Sequence, residues 1–379
     1  MKTNFFDDIE RLRGFACILV LIQHIFWICP MRFVHKIVPS ILSNCSGAVH
    51  IFFAVSGFVI TLSLKNKLLK DSEETCFLER LRSSKEALIS FYQRRFFRVC
   101  PVMLLTAVLV GVYLELSAND RNWLFPLLRA PIEVLVGVYN NSVELFVTTE
   151  KIHYGGFGPF WTLAVEAQFY ITWPLVLLLC KNNNIRSLVA LSLGCLFLLV
   201  IQPLHDAFYG TKYYLTYGNL SELFLGSFLA FLYTNDSEGK SGTGLKLISL
   251  LLAAVIWCYP STLNKSFFSG TAVSLASVLI TAMAVFFRES FNFPLFGRIF
   301  DFLGSRSFSF YAVQLTLANM VDLYVKSIYF PKENFSENAA DLYQFVIFIV
   351  TLFAVTELTW RFVEKPLVKL GRKYFGERI

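Results

Sequence analysis

The sequence predicts an all-α, polytopic membrane protein of about ten transmembrane helices with both termini cytoplasmic. Hydrophobic residues make up 55% of the 379-residue chain and charged residues only 16%. Mean hydropathy is +0.56. Apolar stretches of about 20 residues, long enough to cross a hydrocarbon core, recur from end to end. The 40 phenylalanines far exceed what a soluble domain of this size would bury.

In order, the predicted spans cover residues 12–29, 48–64, 99–117, 159–180, 186–204, 215–233, 245–262, 269–287, 307–325 and 343–362. The stretch Trp123 to Tyr139 is broken by Pro126, Arg129, Pro131 and Glu133 and reads as an interfacial or re-entrant piece. Residues 1–379 read as one membrane domain with no appended soluble domain. Asp7, Asp8 and Glu10 stand where a cleavable leader would be basic, so the first helix is expected to stay. The 8 cysteines form no CxxC or Cys/His cluster and read as small hydrophobes.

Ten spans put both ends on one side. Of the 34 basic residues, 25 fall on the side of the amino terminus, which the positive-inside rule makes cytoplasmic. The net charge of +7 is therefore explained by loops facing anionic membrane lipids and phosphorylated metabolites, and no nucleic-acid partner is expected.

Three polar constellations interrupt the apolar runs. His24 lies inside the first span, eleven positions after Arg13. On a helix that is about 1100°, three turns and ~20°, with a rise of about 16 Å, so both face the same way. An ionisable group at this depth marks a functional site unless it is a satisfied interhelical histidine beside an interfacial arginine. Arg95 and Arg98 end the most basic loop and can grip one polyanion between them, or serve as a positive-inside anchor. Glu166 sits about two turns into an apolar helix, with Thr162 and Tyr170 four residues to either side. In the ninth span Ser307, Tyr311 and Gln314 share a face, as site residues or as interhelical glue.

Taken in order, these pieces resemble the integral-membrane acyltransferase family three, which includes bacterial O-antigen and exopolysaccharide O-acetylases. Its opening pattern matches Glu10-Arg-Leu12-Arg13-Gly14 through His24, and its second signature matches Phe52-Phe53-Ala-Val-Ser56-Gly57-Phe58-Val-Ile60. Arg95-x-x-Arg98 before Pro101, Trp161 to Tyr170 with Thr162 for serine, and Glu364-Lys365-Pro366 complete five ordered signatures. Gln314 stands where members often carry histidine, and Ala167 where an acidic residue is usual. His50 replaces a glycine or aspartate and reads as interfacial.

The resemblance implies an acyl donor, typically acetyl-coenzyme A, and a hydroxyl acceptor on a cell-surface or lipid-linked glycan, in a multi-pass protein of the cell (inner) membrane. Arg95, Arg98 and Arg13 would meet the donor's phosphates. His24 would act as general base on the hydroxyl, with Glu166 orienting it or stabilising its imidazolium. Ser56, Tyr170, Tyr311 and Gln314 are the further polar candidates. Direct transfer suffices, an acyl-histidine or acyl-Ser56 intermediate being a variant, and no metal is required. The stretch 118–158 is a candidate for external acceptor contacts. A polytopic transporter or flippase of a glycolipid is the alternative, but it should show an inverted repeat, and none is evident.

Overall fold

The computed structural model describes residues 6–28, 45, 47–68, 76–117, 124–142, 157–209, 215–234, 239–240, 242–262, 269–293, 296–329 and 337–375. The chain is built of helices: α1 (Phe6–Ile28), α2 (Ala48–Leu68), α3 (Phe77–Ser83), α4 (Lys85–Ser117), α5 (Leu124–Val136), α6 (Phe160–Leu179), α7 (Asn183–Leu196), α8 (Gln202–Tyr209), α9 (Ser221–Leu232), α10 (Thr243–Thr262), α11 (Ser269–Phe286), α12 (Gly297–Ser305), α13 (Ser307–Tyr329), α14 (Glu337–Thr359) and α15 (Lys365–Phe375). A π-turn at Phe197–Ile201 joins α7 to α8, and another at Trp360–Glu364 joins α14 to α15. Two short strands, β1 (Gly239–Lys240) and β2 (Phe287–Arg288), pair in parallel.

Nine of the ten apolar stretches lie largely on helices, whereas of the sixth, 215–233, only Ser221–Leu232 is α-helical, 12 residues; among the described residues five helices are long and apolar enough to cross a membrane: Ala48–Lys65, Lys85–Ser117, Phe160–Leu179, Asn183–Phe208 and Asp341–Phe375. The third stretch was expected to begin at residue 99, whereas α4 begins at Lys85. Its 33 residues are about 50 Å long, beyond the ~30 Å core, so one end carries its polar face past the lipid. That end bears Arg94, Arg95 and Arg98. Residues 124–136 form a helix of 13 residues, about 20 Å long and too short to span, which packs on α6. Residues 118–123 and 143–156 of the candidate acceptor stretch lie outside the described residues.

Small residues set the tightest crossings. A Cβ on Gly57 would collide with the Leu223 carbonyl, and one on Gly226 with the Ala54 carbonyl, so α2 and α9 touch backbone to backbone. Gly14 and Gly304 do the same for α1 against α12. Lys65 closes the α2–α9 pair by donating to the Ala230, Phe231 and Tyr233 carbonyls at 3.2–3.3 Å, which satisfies the open end of α9.

A bulky side chain at such a crossing must push the helices apart, an overpacking cost of about 1–3 kcal/mol. Gly226→Val is expected to lower the thermal unfolding midpoint of the purified protein by several degrees. Gly244→Ala, where nothing lies within 4 Å of an added Cβ, should leave it in place.

Candidate active site

Helix α1 rises beside α12 and α13 in a constant parallel register. Arg11 Nε donates to Asp301 Oδ1 at 2.8 Å and Cys17 Sγ to the Ser307 carbonyl at 3.8 Å, pairs 290 residues apart. His24 adjoins Gln314 at the same offset. Arg13, Cys17 and His24 lie within about 40° on one helical face. The first and ninth polar segments thus form one seam.

At the arginine end of this seam the closing signature arrives from α14. Arg306 is held between the Phe302 and Trp360 rings, its guanidinium carbon 4.0 Å from each ring centre, and donates to Glu357 at 2.5 Å. This fastens the π-turn onto the α12–α13 junction. Glu364, in that turn, accepts from the backbone N and Oγ of Ser309 at 3.2 and 2.5 Å, a carboxylate on the open amides of the α13 amino terminus. Arg13 lies within electrostatic reach of Glu364, Glu10 and Arg98.

Arg98 is also near Arg95, and Arg95 lies over the rings of Tyr170 (5.3 Å) and Phe91 (5.5 Å). None of these three half-buried guanidiniums is hydrogen-bonded or ion-paired among the described residues. Neighbouring arginines are engaged: Arg94 donates to Ser90 Oγ and the Phe375 carbonyl, Arg11 pairs with Asp8 and Asp301, and Arg186 donates to the Leu177 carbonyl. Three gathered cations, none of them ion-paired among the described residues, leave donors that suit an external anion.

Glu166 connects α6 to this cluster, though not in the way expected from its resemblance role. Its Oε1 accepts from Ser56 Oγ at 2.6 Å and its Oε2 from Tyr170 OH at 2.5 Å. The expected contact with His24 is not made, because both carboxylate oxygens are turned toward α2 and the next turn of α6. Tyr311 OH donates to the Pro159 carbonyl at 3.1 Å and lies 3.2 Å from Thr162 Oγ1, joining α13 to the start of α6. Ser56, Glu166, Tyr170, Arg95 and Arg98 are therefore brought together, with Arg13 beside them.

His24 and Gln314 form the other end of the seam. Gln314 is 0% exposed, and neither of its amide atoms, nor His24 Nδ1, has an aligned hydrogen-bond partner. His24 itself is half-buried. Unmet polar atoms at this depth are costly and point to a role outside packing.

The interfacial reading of His50 is overturned. Its Nδ1 lies 2.5 Å from Glu222 Oε1, and Glu222 is 0% exposed. The partner was overlooked because Glu222 was absorbed into an apolar span. The membrane-depth argument that singled out Glu166 applies equally to it. The roles of Glu364 and Arg306, by contrast, depend on contacts from distant helices and had no local signal.

Residues 6–360 match the acyltransferase domain of this family. O-acetyltransferases OatA from Staphylococcus aureus strains COL and MW2 are each 24% identical to the chain over 402 residues, covering 98% of it and 59% of the relative. The chain thus spans about 59% of the length of these relatives. No solved structure matches it. With the five signatures gathered onto one seam and the family match running nearly end to end, the chain belongs to acyltransferase family three.

Proposed function

We propose that the protein is a membrane O-acyltransferase that moves an acyl group, acetyl being the simplest, from a cytosolic acyl-coenzyme A to a hydroxyl of a cell-surface or lipid-linked glycan, in the cell membrane. The observation that carries this reading is the trio Arg13, Arg95 and Arg98, unpaired among the described residues at one end of the face that carries His24. A coenzyme is a polyanion with a long arm. Its phosphates suit three guanidiniums, and its thioester extends away from them toward the histidine. The relatives' O-acetyltransferase name supports the same chemistry.

In this reading His24 Nε2 takes the proton of the acceptor hydroxyl as its oxygen attacks the thioester carbonyl. The carbon–sulfur bond breaks, and the proton passes from the imidazolium to the departing thiolate, so the ring ends as it began. Gln314 supplies the orienting contact originally assigned to Glu166. Its Oε1 can accept from Nδ1–H, which leaves Nε2 as the base, and its unpartnered amide N–H groups are available to a developing negative charge nearby. Glu166 holds Tyr170 beneath Arg95 and fixes Ser56, shaping the donor end. The chemistry needs no metal.

His24→Ala should abolish ester formation on surface glycan, a fall of at least 100-fold by mass spectrometry at matched levels of inserted protein. Wild-type ester content would sink the assigned role. Arg95→Ala and Arg98→Ala should each raise the KM for acetyl-coenzyme A about tenfold or more while changing kcat less, the pattern of lost phosphate contacts. Lysine at either position should restore only part of the affinity, because an ammonium cannot form the two-pronged contact. Hydrolysis of acetyl-coenzyme A by the purified protein, which a transporter would not perform, separates the two classes.

A further inference from the structure

We propose that His50, Glu222 and Asp206 form a second polar site beside the catalytic seam, one that holds the non-reacting hydroxyls of the sugar acceptor. The proposal rests on the acyl-transfer reading above and adds where the acceptor is held.

The site is built across α2, α8, α9 and α11. Glu222, fully buried, is fixed by Ser221 Oγ at 3.0 Å and receives His50 Nδ1 at 2.5 Å. Ser274 Oγ lies 3.4 Å from the same ring nitrogen and accepts from Gln202 Nε2 at 2.8 Å. Glu222 and Ser274 thus converge on Nδ1. The ring cannot relay a proton from Ser274 to Glu222, so a Ser–His–Glu nucleophile is excluded by geometry. The carboxylate instead commits Nδ1 and leaves Nε2 as the ring's remaining polar atom, with no partner among the described residues. The His50 side chain is 18% exposed, so that edge is not sealed.

A second observation points to a ligand. Asp206, within electrostatic reach of His50, has a buried Oδ2 with no hydrogen-bond partner. A Cβ on Gly270 would sit 2.7 Å from that oxygen and 2.9 Å from Gln202 Nε2, so only glycine lets α11 come this close to the carboxylate without covering its free oxygen. No group of three His, Cys, Asp or Glu among the described residues could hold a metal ion. What remains is an imidazole Nε2, which donates when the ion pair with Glu222 holds the ring protonated, and a carboxylate oxygen that accepts, a combination that suits the hydroxyls of a polyol. As a packing device a largely buried His–Glu pair would be poor, since apolar residues of the same volume would serve as well.

The location connects the two sites. Gln23 Oε1 accepts from the Cys45 backbone N at 2.5 Å, which ties the far end of α1 to the start of α2. His24 and His50 are one and five residues beyond this tie, within about two helical turns of the same depth. Packed helices lie about 8–10 Å apart, so one oligosaccharide can present one hydroxyl to His24 and others to His50 and Asp206. The arginine trio lies at the other end of α1.

The test compares two reactions of each variant: acetyl-coenzyme A hydrolysis by purified protein, in which water is the acceptor, and ester content of the surface glycan in cells. His50→Ala, Glu222→Gln and Asp206→Asn are expected to reduce glycan ester at least tenfold more than they reduce hydrolysis. Equal loss of both reactions, or loss of neither, overturns the proposal. Asp206→Asn and Gly270→Ala leave the His50–Glu222 pair in place, and carry the same comparison if the others fail to insert. His24→Ala separates the two levels. If it stops both reactions while the His50 variants show no acceptor-specific loss, only this second site fails; if it is fully active, the acyl-transfer reading fails.

Discussion

Placing charge inside a hydrocarbon slab, or burying it among side chains at the slab's edge, is so unfavourable that each such group must be paired, capped onto backbone, or kept for a ligand, and this constraint sorts the polar residues of the bundle. Arg11 is answered by Asp8 and Asp301, Arg306 by Glu357 and two aromatic faces, and Lys65 by the carbonyls at the end of α9. These groups hold helices together. Arg13, Arg95 and Arg98 are not answered within the described residues, and neither are His24 Nδ1 and Gln314. The division between satisfied and unsatisfied polar groups locates the candidate site without reference to any relative.

Geometry converts that division into a path. Because α1 and α12–α13 keep one register from Arg11–Asp301 to His24–Gln314, the rise of α1 between Arg13 and His24, about 16 Å, separates the two ends of the seam. Glu364 reinforces the arrangement from the side: by closing the amino terminus of α13 it fixes the helix carrying Gln314, and it lies within electrostatic reach of Arg13. Its Oε2 is taken by Ser309, and no hydrogen bond joins it to Arg13 among the described residues.

Much of this was legible in the sequence. Most of the apolar stretches coincide with helices, because length and composition dominate where lipid is the solvent, although within 215–233 the α-helix covers only Ser221–Leu232. The same-face relation of Arg13 and His24 followed from helical periodicity alone. The partners across helices were harder to read. Glu166 was expected beside His24, but which way a carboxylate turns depends on α2 and on its own next turn, and Ser56 and Tyr170 claim it. His50 near the start of a span looked like an interfacial residue, because its meaning depends on Glu222, 172 residues away. The start of α4 was placed fourteen residues late, since hydropathy detects the lipid boundary and not the end of a helix that continues past it.

The two imidazoles near one depth have opposite partners, and that contrast argues for different tasks. A general base in acyl transfer must release its proton to the leaving thiolate within the same turnover. His24 adjoins a neutral amide and no carboxylate among the described residues, so nothing negative beside it retains the imidazolium. His50 is held by a buried carboxylate, and a proton arriving there would remain in an ion pair. A ring fixed in this way is better suited to holding a hydroxyl in place than to cycling a proton. In the proposed reading the pairing itself, more than either histidine's position, argues for transfer at one site and grip at the other.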